Sequence, residues 1–309
     1  MAVNFTDWTP TAPLQLLNLY WLTNSGVEVA ILRLDLIDQQ VSGNKWFKLA
    51  PHIKAAVEQG AQGLISLGGA HSNHLHALAA AGHRFGFQTV GLMRGNPQVT
   101  PTTRELERFG MHLHWLGYGG YRARNLPGFW SSWRLQYPEL QPVPEGGGGL
   151  LGARGCQSLV EMVRGQLKQL DWPDYHAWWL AVGTGTTLAG LVLGEAGDHP
   201  VYGALAVPPR HGAEQQITSL LSEAQQGDEG YRLLDAARGG FAKMDTPLLD
   251  FMQACETEAD MQFEPLYTAK ALLALRDQIQ QGAFPPGTRL IFVHTGGLQG
   301  RASALAKSG

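Results

Sequence analysis

Three glycine-rich turns carry the side chains in this sequence that could do chemistry. They are Ser42-Gly43-Asn44-Lys45, Gly68-Gly69-Ala70-His71-Ser72-Asn73-His74 and Gly183-Thr184-Gly185-Thr186-Thr187. The third follows directly on the apolar run HAWWLAV (176–182). Small, hydroxyl-bearing residues where a strand gives way to a helix offer converging backbone N–H groups and a positive dipole end, which suit a phosphate. The turn is neither the G-x-G-x-x-G of dinucleotide sites nor the G-x-x-x-x-G-K-[ST] of triphosphate sites, so a single phosphate group fits better. An ordinary strand-to-helix turn would have the same composition. Lys45 opens a helix-like stretch with Lys48 one turn away on the same face. Positive potential there lowers the pKa of an amine, and Schiff-base formation with a carbonyl cofactor requires a neutral one. A solvated lysine early in a helix is the plainer alternative. Asn44 and Ser72 are equally suited to be helix N-caps. Among His71, His74 and His76, the first two share a helical face and the third points away. That leaves two ligands where zinc needs three or four, so no metal site is expected.

The elements that must position these turns alternate along the chain. Val27 to Asp38 reads as a strand, and a helix runs from Asn44 until Gly60 stops it, with Pro51 expected to kink it or mark a second start. Strands are expected over 63–67, 88–93, 111–116, 176–182, 201–207 and 289–294. Helices are expected over 72–84, 102–109, 153–170, from 187, over 212–226 and over 268–281, with a break at Pro144 to Gly149. Uniformly apolar strands alternating with helices indicate parallel sheets covered on both faces, an α/β fold.

Composition narrows the function. Charged residues are 16% and hydrophobic residues 44% of the chain, which excludes a disordered polymer. The 39 glycines in 309 residues, well above the usual ~7%, imply many tight turns or close backbone approaches. A net charge of −3 without like-charge blocks removes the electrostatic case for nucleic acid or an anionic membrane surface. Cys156 and Cys255 are too few for a disulfide framework or a thiolate metal site. The opening Met1 to Pro10 lacks a basic-then-apolar leader, and no run of about 18 apolar residues occurs. A cytoplasmic protein of about two structural units is the default expectation.

The string Gly43-Asn44-Lys45-Trp46-Phe47-Lys48-Leu49, followed by Gly68 to His74, resembles the pyridoxal-phosphate enzymes of the 1-aminocyclopropane-1-carboxylate deaminase / D-cysteine desulfhydrase family. Pro144-Glu145-Gly146-Gly147, Gly183 to Thr187, Glu264-Pro265-Leu266-Tyr267-Thr268-Ala269-Lys270 and Val293-His294-Thr295-Gly296-Gly297 agree in the same order. The match runs from about residue 27 to 300. It implies a fold-type II, tryptophan-synthase-β-like protein with two three-layer α/β/α domains: a larger one from 1–47 plus 148–309 and a smaller one inserted as 48–147. It further implies that Lys45 binds the cofactor covalently, that Asn73 bonds its phenolic oxygen, and that Gly183, Thr184, Gly185, Thr186 and Thr187 hold its phosphate. Thr268 would face the pyridine nitrogen. Ser72 and Tyr267 would flank the substrate for proton transfer, and Ser72, Asn73 and His74 would lie near its carboxylate. A homodimer acting on a small amino acid is the family expectation.

Departures from the family pattern bear on the reaction. In the deaminases a glutamate follows the tyrosine and keeps the pyridine nitrogen protonated; here Thr268 takes that position, and a neutral hydroxyl makes a weaker electron sink. The deaminases also carry an upstream Tyr-Gly pair, where this chain has Phe241-Ala242-Lys243-Met244. Both point to α,β-elimination from a D-cysteine-like amino acid, with Lys45 or Ser72 taking the α-proton. Cyclopropane-ring deamination is the alternative, and a β-replacement synthase a further one.

Overall fold

The computed structural model describes residues 8–240 and 242–306; Met1–Asp7, where the leader reading begins, and Phe241 lie outside the described residues. Among the described residues ten strands form two sheets. Strands β1 (Leu14–Leu16), β2 (Glu28–Arg33), β7 (Ala177–Val182), β8 (Val201–Leu205), β9 (Tyr231–Asp235) and β10 (Arg289–His294) make the first, in the order β1-β2-β10-β7-β8-β9. Strands β3 (Gly63–Gly68), β4 (Gln88–Met93), β5 (His112–Trp115) and β6 (Leu140–Pro142) make the second, in the order β5-β4-β3-β6. All pairings are parallel except β1 with β2. The α/β class with mostly parallel sheets is as the sequence implies.

The apolar runs explain why the central strands are buried on both faces. Along β7, Trp178, Leu180 and Val182 enter one core and Ala177, Trp179 and Ala181 the other; β10 divides in the same way, Ile291 and Val293 against Leu290 and Phe292. This is the period-2 alternation of a strand whose two faces both meet helices. The first of these cores also takes in Leu64, Leu75 and Met93 from around the four-stranded sheet, and Trp46, Phe47, Leu49 and Ile53 of the helix Asn44–Glu58. That helix therefore lies between the two sheets.

Several boundaries differ from the sequence reading. The strand expected from Val27 to Asp38 ends at Arg33 and turns into a 3-10 helix, Leu34–Leu36. The helix expected over 153–170 is divided into Gly149–Cys156, Ser158–Arg164 and the 3-10 turn Leu167–Leu170. Pro51 does not restart its helix, which runs unbroken across 47/48, the expected domain junction. Pro51 has no N–H to give Phe47 O, and Gly155 fits against both residues: a Cβ there would stand 2.0 Å from Phe47 O.

Candidate active site

The C-terminal ends of β3, β4, β7 and β10 converge on a cavity of about 840 Å³, the usual place for a ligand in an open α/β sheet. All three glycine-rich turns reach it. Gly43 has φ +78°, and a Cβ at that position would lie 2.4 Å from Thr295 O. Only glycine lets the turn press against the Thr295–Gly296 backbone and start the next helix there. Lys45 stands half-buried in the first turn of that helix, with Lys48 buried beside it. Burial above all, and then the charge of Lys48, holds the Lys45 amine well below the usual lysine range. Burial lowers Lys48 too. Asn44 is not an N-cap; Gly43 is, and Asn44 Nδ2 donates to Thr187 Oγ1 at 2.8 Å, tying the lysine turn to the third turn.

Ser72 caps the helix Asn73–Phe85, its Oγ accepting from Leu75 N at 3.2 Å, which leaves its proton for another acceptor. Asn73 Oδ1 accepts from Gln299 Nε2 at 2.9 Å, and a Cβ on Gly297 would stand 2.6 Å from Asn73 Nδ2, so the second turn packs on the loop after β10. The three histidines do different things. His71 is exposed at the cavity, His74 Nε2 meets Ser66 Oγ at 2.7 Å, and His76 Nε2 meets Glu105 Oε2 at 2.9 Å. His74 is turned inward, with its ring only 3% exposed.

In the third turn Gly183, Thr184, Gly185 and Thr187 line the cavity, whereas Thr186 is fully buried with Oγ1 3.2 Å from Thr184 Oγ1. Gly185 sits in the left-handed region (φ +81°) as N-cap of the helix Thr186–Glu195, and a Cβ there would meet Ile217 Cγ1 at 2.5 Å. Tyr267 closes the same side: a Cβ on Gly183 would lie 3.0 Å from its ring.

Thr268 does not line the cavity. It is fully buried, its Oγ1 donates to Glu264 O at 2.9 Å and accepts from Glu264 N at 2.7 Å, so the hydroxyl is satisfied by the preceding turn. From that motif it is Glu264 that lines the wall, together with Leu266 and Tyr267. Its carboxylate accepts from Leu266 N at 2.7 Å and Tyr267 N at 2.8 Å. Burial nonetheless pushes it up to about 7, against the pull of those amides and of Lys270. The sequence reading missed this group, as it missed Lys48 as a wall residue and Glu145, which also lines the cavity while bonded to Tyr121 Oη at 2.5 Å and Arg124 Nε at 2.7 Å. Ala242, Lys243 and Met244 also reach the wall; Phe241 is outside the described residues.

Two expected results follow. A glutamate at 268 would be buried against Glu264, so Thr268→Glu should cost at least ~2 kcal/mol and lower the melting temperature rather than present a carboxylate to the cavity. Unchanged melting would show that the side chain can reach the open space. Glu264 holds its proton more tightly folded than unfolded, so its contribution to stability is present below about 4.5 and is lost as pH rises through about 7. Glu264→Gln should flatten that part of the curve of melting temperature against pH; an unaltered slope would place the titration elsewhere.

A model of the pyridoxal-phosphate dependent enzymes matches residues 6–296. The chain belongs to that family. It is 29% identical to the 1-aminocyclopropane-1-carboxylate deaminase of Burkholderia lata, over 83% of this chain and 82% of that one. It is 27% identical to a protein of Pyrococcus abyssi described as a putative 1-aminocyclopropane-1-carboxylate deaminase, over 89% and 86%. Among solved structures, one of an ACC deaminase homologue superposes with TM-score 0.81 at 23% identity, covering 99% of this chain and 95% of that one. A hydrogen sulfide-producing enzyme from Fusobacterium nucleatum superposes with TM-score 0.69 at 12% identity, covering 96% of each. At those identities the likeness is one of fold.

The cavity fits the cofactor of this pyridoxal-phosphate dependent enzyme. An amine that burial holds well below the usual lysine range stands within it, small residues and a threonine hydroxyl border it at a helix N-terminus, and one buried ring nitrogen, His74 Nδ1, has no hydrogen-bond partner. Lys45 would hold the aldehyde carbon and the Gly183 to Thr187 turn the phosphate. Among the described residues no helix is long and apolar enough to cross a membrane.

Proposed function

We propose that this pyridoxal-phosphate dependent enzyme catalyses α,β-elimination on a small amino acid, in the manner of a D-cysteine desulfhydrase. With D-cysteine and water the products would be pyruvate, ammonia and hydrogen sulfide. The observation that carries this reading is the gathering of Lys45, Ser72 and Tyr267 around one cavity, with Asn73 and the phosphate-type turn on its rim. The bound cofactor supplies electron withdrawal from the substrate's α-carbon. The chain supplies the rest. Lys45, its amine held well below the usual lysine range above all by burial, can take a proton from the α-carbon or return one. Ser72 has a hydroxyl proton free to donate, because its oxygen already accepts from Leu75 N. The first-turn amides of Asn73 and His74 point out of the helix end and suit a substrate carboxylate. Tyr267 keeps its proton, since burial and the neighbouring Glu264 raise its phenol; it can therefore donate to a leaving group but not act as a ready base. The reading further places the reaction in the cytoplasm, in a homodimer of two-domain subunits.

One observation favours a second reading, opening of the cyclopropane ring. Position 268 lacks the deaminase glutamate, yet Glu264 brings a carboxyl to the cavity wall from four residues upstream. The test is a panel of D- and L-cysteine, D- and L-serine, β-chloroalanine and 1-aminocyclopropane-1-carboxylate, scored by release of 2-oxo acid. D-cysteine or β-chloro-D-alanine should outpace the cyclopropane acid by at least ~100-fold, because losing an activated leaving group needs less carbanion stabilisation than breaking a carbon–carbon bond. Comparable rates would establish the second reading instead.

A further inference from the structure

Two cations of the cavity face no anion. Arg94 lines it one residue past the end of β4, and Lys243 lines it from the stretch after β9. Among the described residues no carboxylate pairs with either one. The carboxylates of the cavity are engaged elsewhere: Glu145 with Tyr121 and Arg124, Asp245 with Arg238, and Glu264 with the amides of Leu266 and Tyr267. The main chain at Arg94 is fixed. Its N–H donates to Gly68 O at 2.9 Å, and a Cβ on Gly68 would stand 2.5 Å from Ser72 Oγ, so the arginine and the serine start from neighbouring strand ends. Gly95 O accepts from Gly117 N at 3.1 Å, and that bridge brings the Tyr118 ring to the guanidinium, whose carbon lies 5.8 Å from the ring centroid. A guanidinium lying over an aromatic face keeps the N–H groups in its plane free for an acceptor. With the α-carboxylate met by the Asn73 and His74 amides and the cofactor's phosphate by the turn after β7, both cations are left for a third anion.

We propose that Arg94, with Lys243, selects amino acids whose β-substituent is a phosphate ester, O-phosphoserine being the simplest. The paired N–H groups of a guanidinium match phosphate oxygens, and an ester of about −1.5 to −2 charge at pH 7 answers two cations. A carboxylate on the β-carbon could not depart with an electron pair, whereas a phosphate can. In the elimination the α-carbon gives up its proton, the bond between the β-carbon and the ester oxygen breaks, and its electron pair leaves with the phosphate. Water supplies the oxygen that replaces the amino nitrogen, so O-phosphoserine and water give pyruvate, ammonia and phosphate. Arg94 holds the group before that bond breaks and as the departing oxygen takes the pair. The substrate class rests on the elimination reading above; the anion site does not.

Two analogues of one shape, neither with a leaving group, test the site in the cofactor-loaded enzyme. 2-Amino-3-phosphonopropionate carries the anion on a carbon–phosphorus bond, and 2-amino-4,4-dimethylpentanoate replaces it by an uncharged tert-butyl group. Both are titrated as racemates and followed by the cofactor's absorbance. The unmodified enzyme should bind the phosphonate at least ~10-fold more tightly. Arg94→Met should close that gap, chiefly by weakening the phosphonate, and Arg94→Lys should restore part of it. Equal affinity of the unmodified enzyme for the two compounds overturns the proposal, whether or not the variants fold. Equal weakening of both by Arg94→Met overturns it as well, by making the arginine a ligand of the α-carboxylate. So does loss of the cofactor from Arg94→Met on dialysis, which would give the arginine to the cofactor's phosphate. The unmodified enzyme should also release phosphate and pyruvate from O-phosphoserine in equal amounts. Elimination from other members of the panel above without release from either enantiomer of O-phosphoserine overturns the substrate class. Elimination from none of them faults the reaction instead, and the phosphonate comparison still decides the anion site.

Discussion

Replacing Lys45 with alanine should abolish borohydride-reducible attachment of pyridoxal phosphate and lower turnover by more than ~10³-fold, the scale of a combined anchor and proton carrier. The rival for the role is Lys48, which lines the same cavity one turn on and is the more buried of the two. Lys270 is a poor rival: its Nζ donates to Ala237 O at 3.2 Å and Gly240 O at 3.0 Å, and although burial brings it down to about 8 it does not line the cavity. Lys45 has the deeper depression of the two cavity amines: burial and Lys48 both lower it, with Cys156 and Glu145 offsetting part, whereas for Lys48 burial alone lowers it and Cys156 and the bond to Lys45 oppose it. Peptide mapping of the reduced adduct decides between them. An adduct on Lys48 in the unmodified protein would transfer the anchor by one helical turn and leave Lys45 as the neighbouring charge.

A carboxylate at position 184 should expel the cofactor. Thr184 lines the cavity at the turn that suits a phosphate and, unlike Gly185, has a side chain already, so Thr184→Asp adds charge without backbone strain. Gly185 is the worse probe. Any side chain there would strain a left-handed residue and strike Ile217, so lost binding would report a damaged fold. Two charges about 4 Å apart repel by about 4 kcal/mol at the effective dielectric of a protein surface. The dissociation constant for pyridoxal phosphate should therefore rise by two to three orders of magnitude on that scale, while Thr184→Val changes it only a few-fold. Titration of the cofactor-free variants by fluorescence would measure both. Normal affinity in a folded Thr184→Asp would place the phosphate elsewhere.

What could be read from the residues follows from where they are buried. β4 and β10 begin and end where the sequence reading puts them, because both faces are covered and the middle of each strand is apolar. β9, with the half-exposed sequence YRLLD at the sheet edge, and the three-residue β1 carry no such run and were not foreseen, nor was the helix Thr246–Ala259. The turns that build the cavity were legible as glycine and hydroxyl clusters, since backbone that must approach another chain segment needs small residues. Glu264 was not, because a carboxyl four residues before a helix reads as an ordinary capping group. Thr268 shows the opposite failure: its place in the motif suggested a part in the site, but a local bond to the backbone of Glu264 turns its hydroxyl away.

The place of β10 in its sheet has a consequence for synthesis. The strand lies between β2 and β7, so residues 289–294 join segments that are otherwise not paired with each other. A growing chain can complete the four-stranded sheet once residue 142 has emerged, but the six-stranded one lacks its middle until residues 289–294 are made. Such late, long-range closure is slow, and it leaves apolar strand edges exposed in the meantime. A nascent chain arrested before residue 280 should therefore protect the segment 63–142 from protease while β2 and β7 remain cleavable. Extension past residue 294 should close both at once. In this enzyme the strand that joins β2 to β7 also leads into Thr295 and Gly296 against Gly43, so the lysine turn gains its supporting backbone only when β10 has been made. Termination before residue 289 would thus leave a protein with its four-stranded sheet formed and no supporting backbone for the lysine turn.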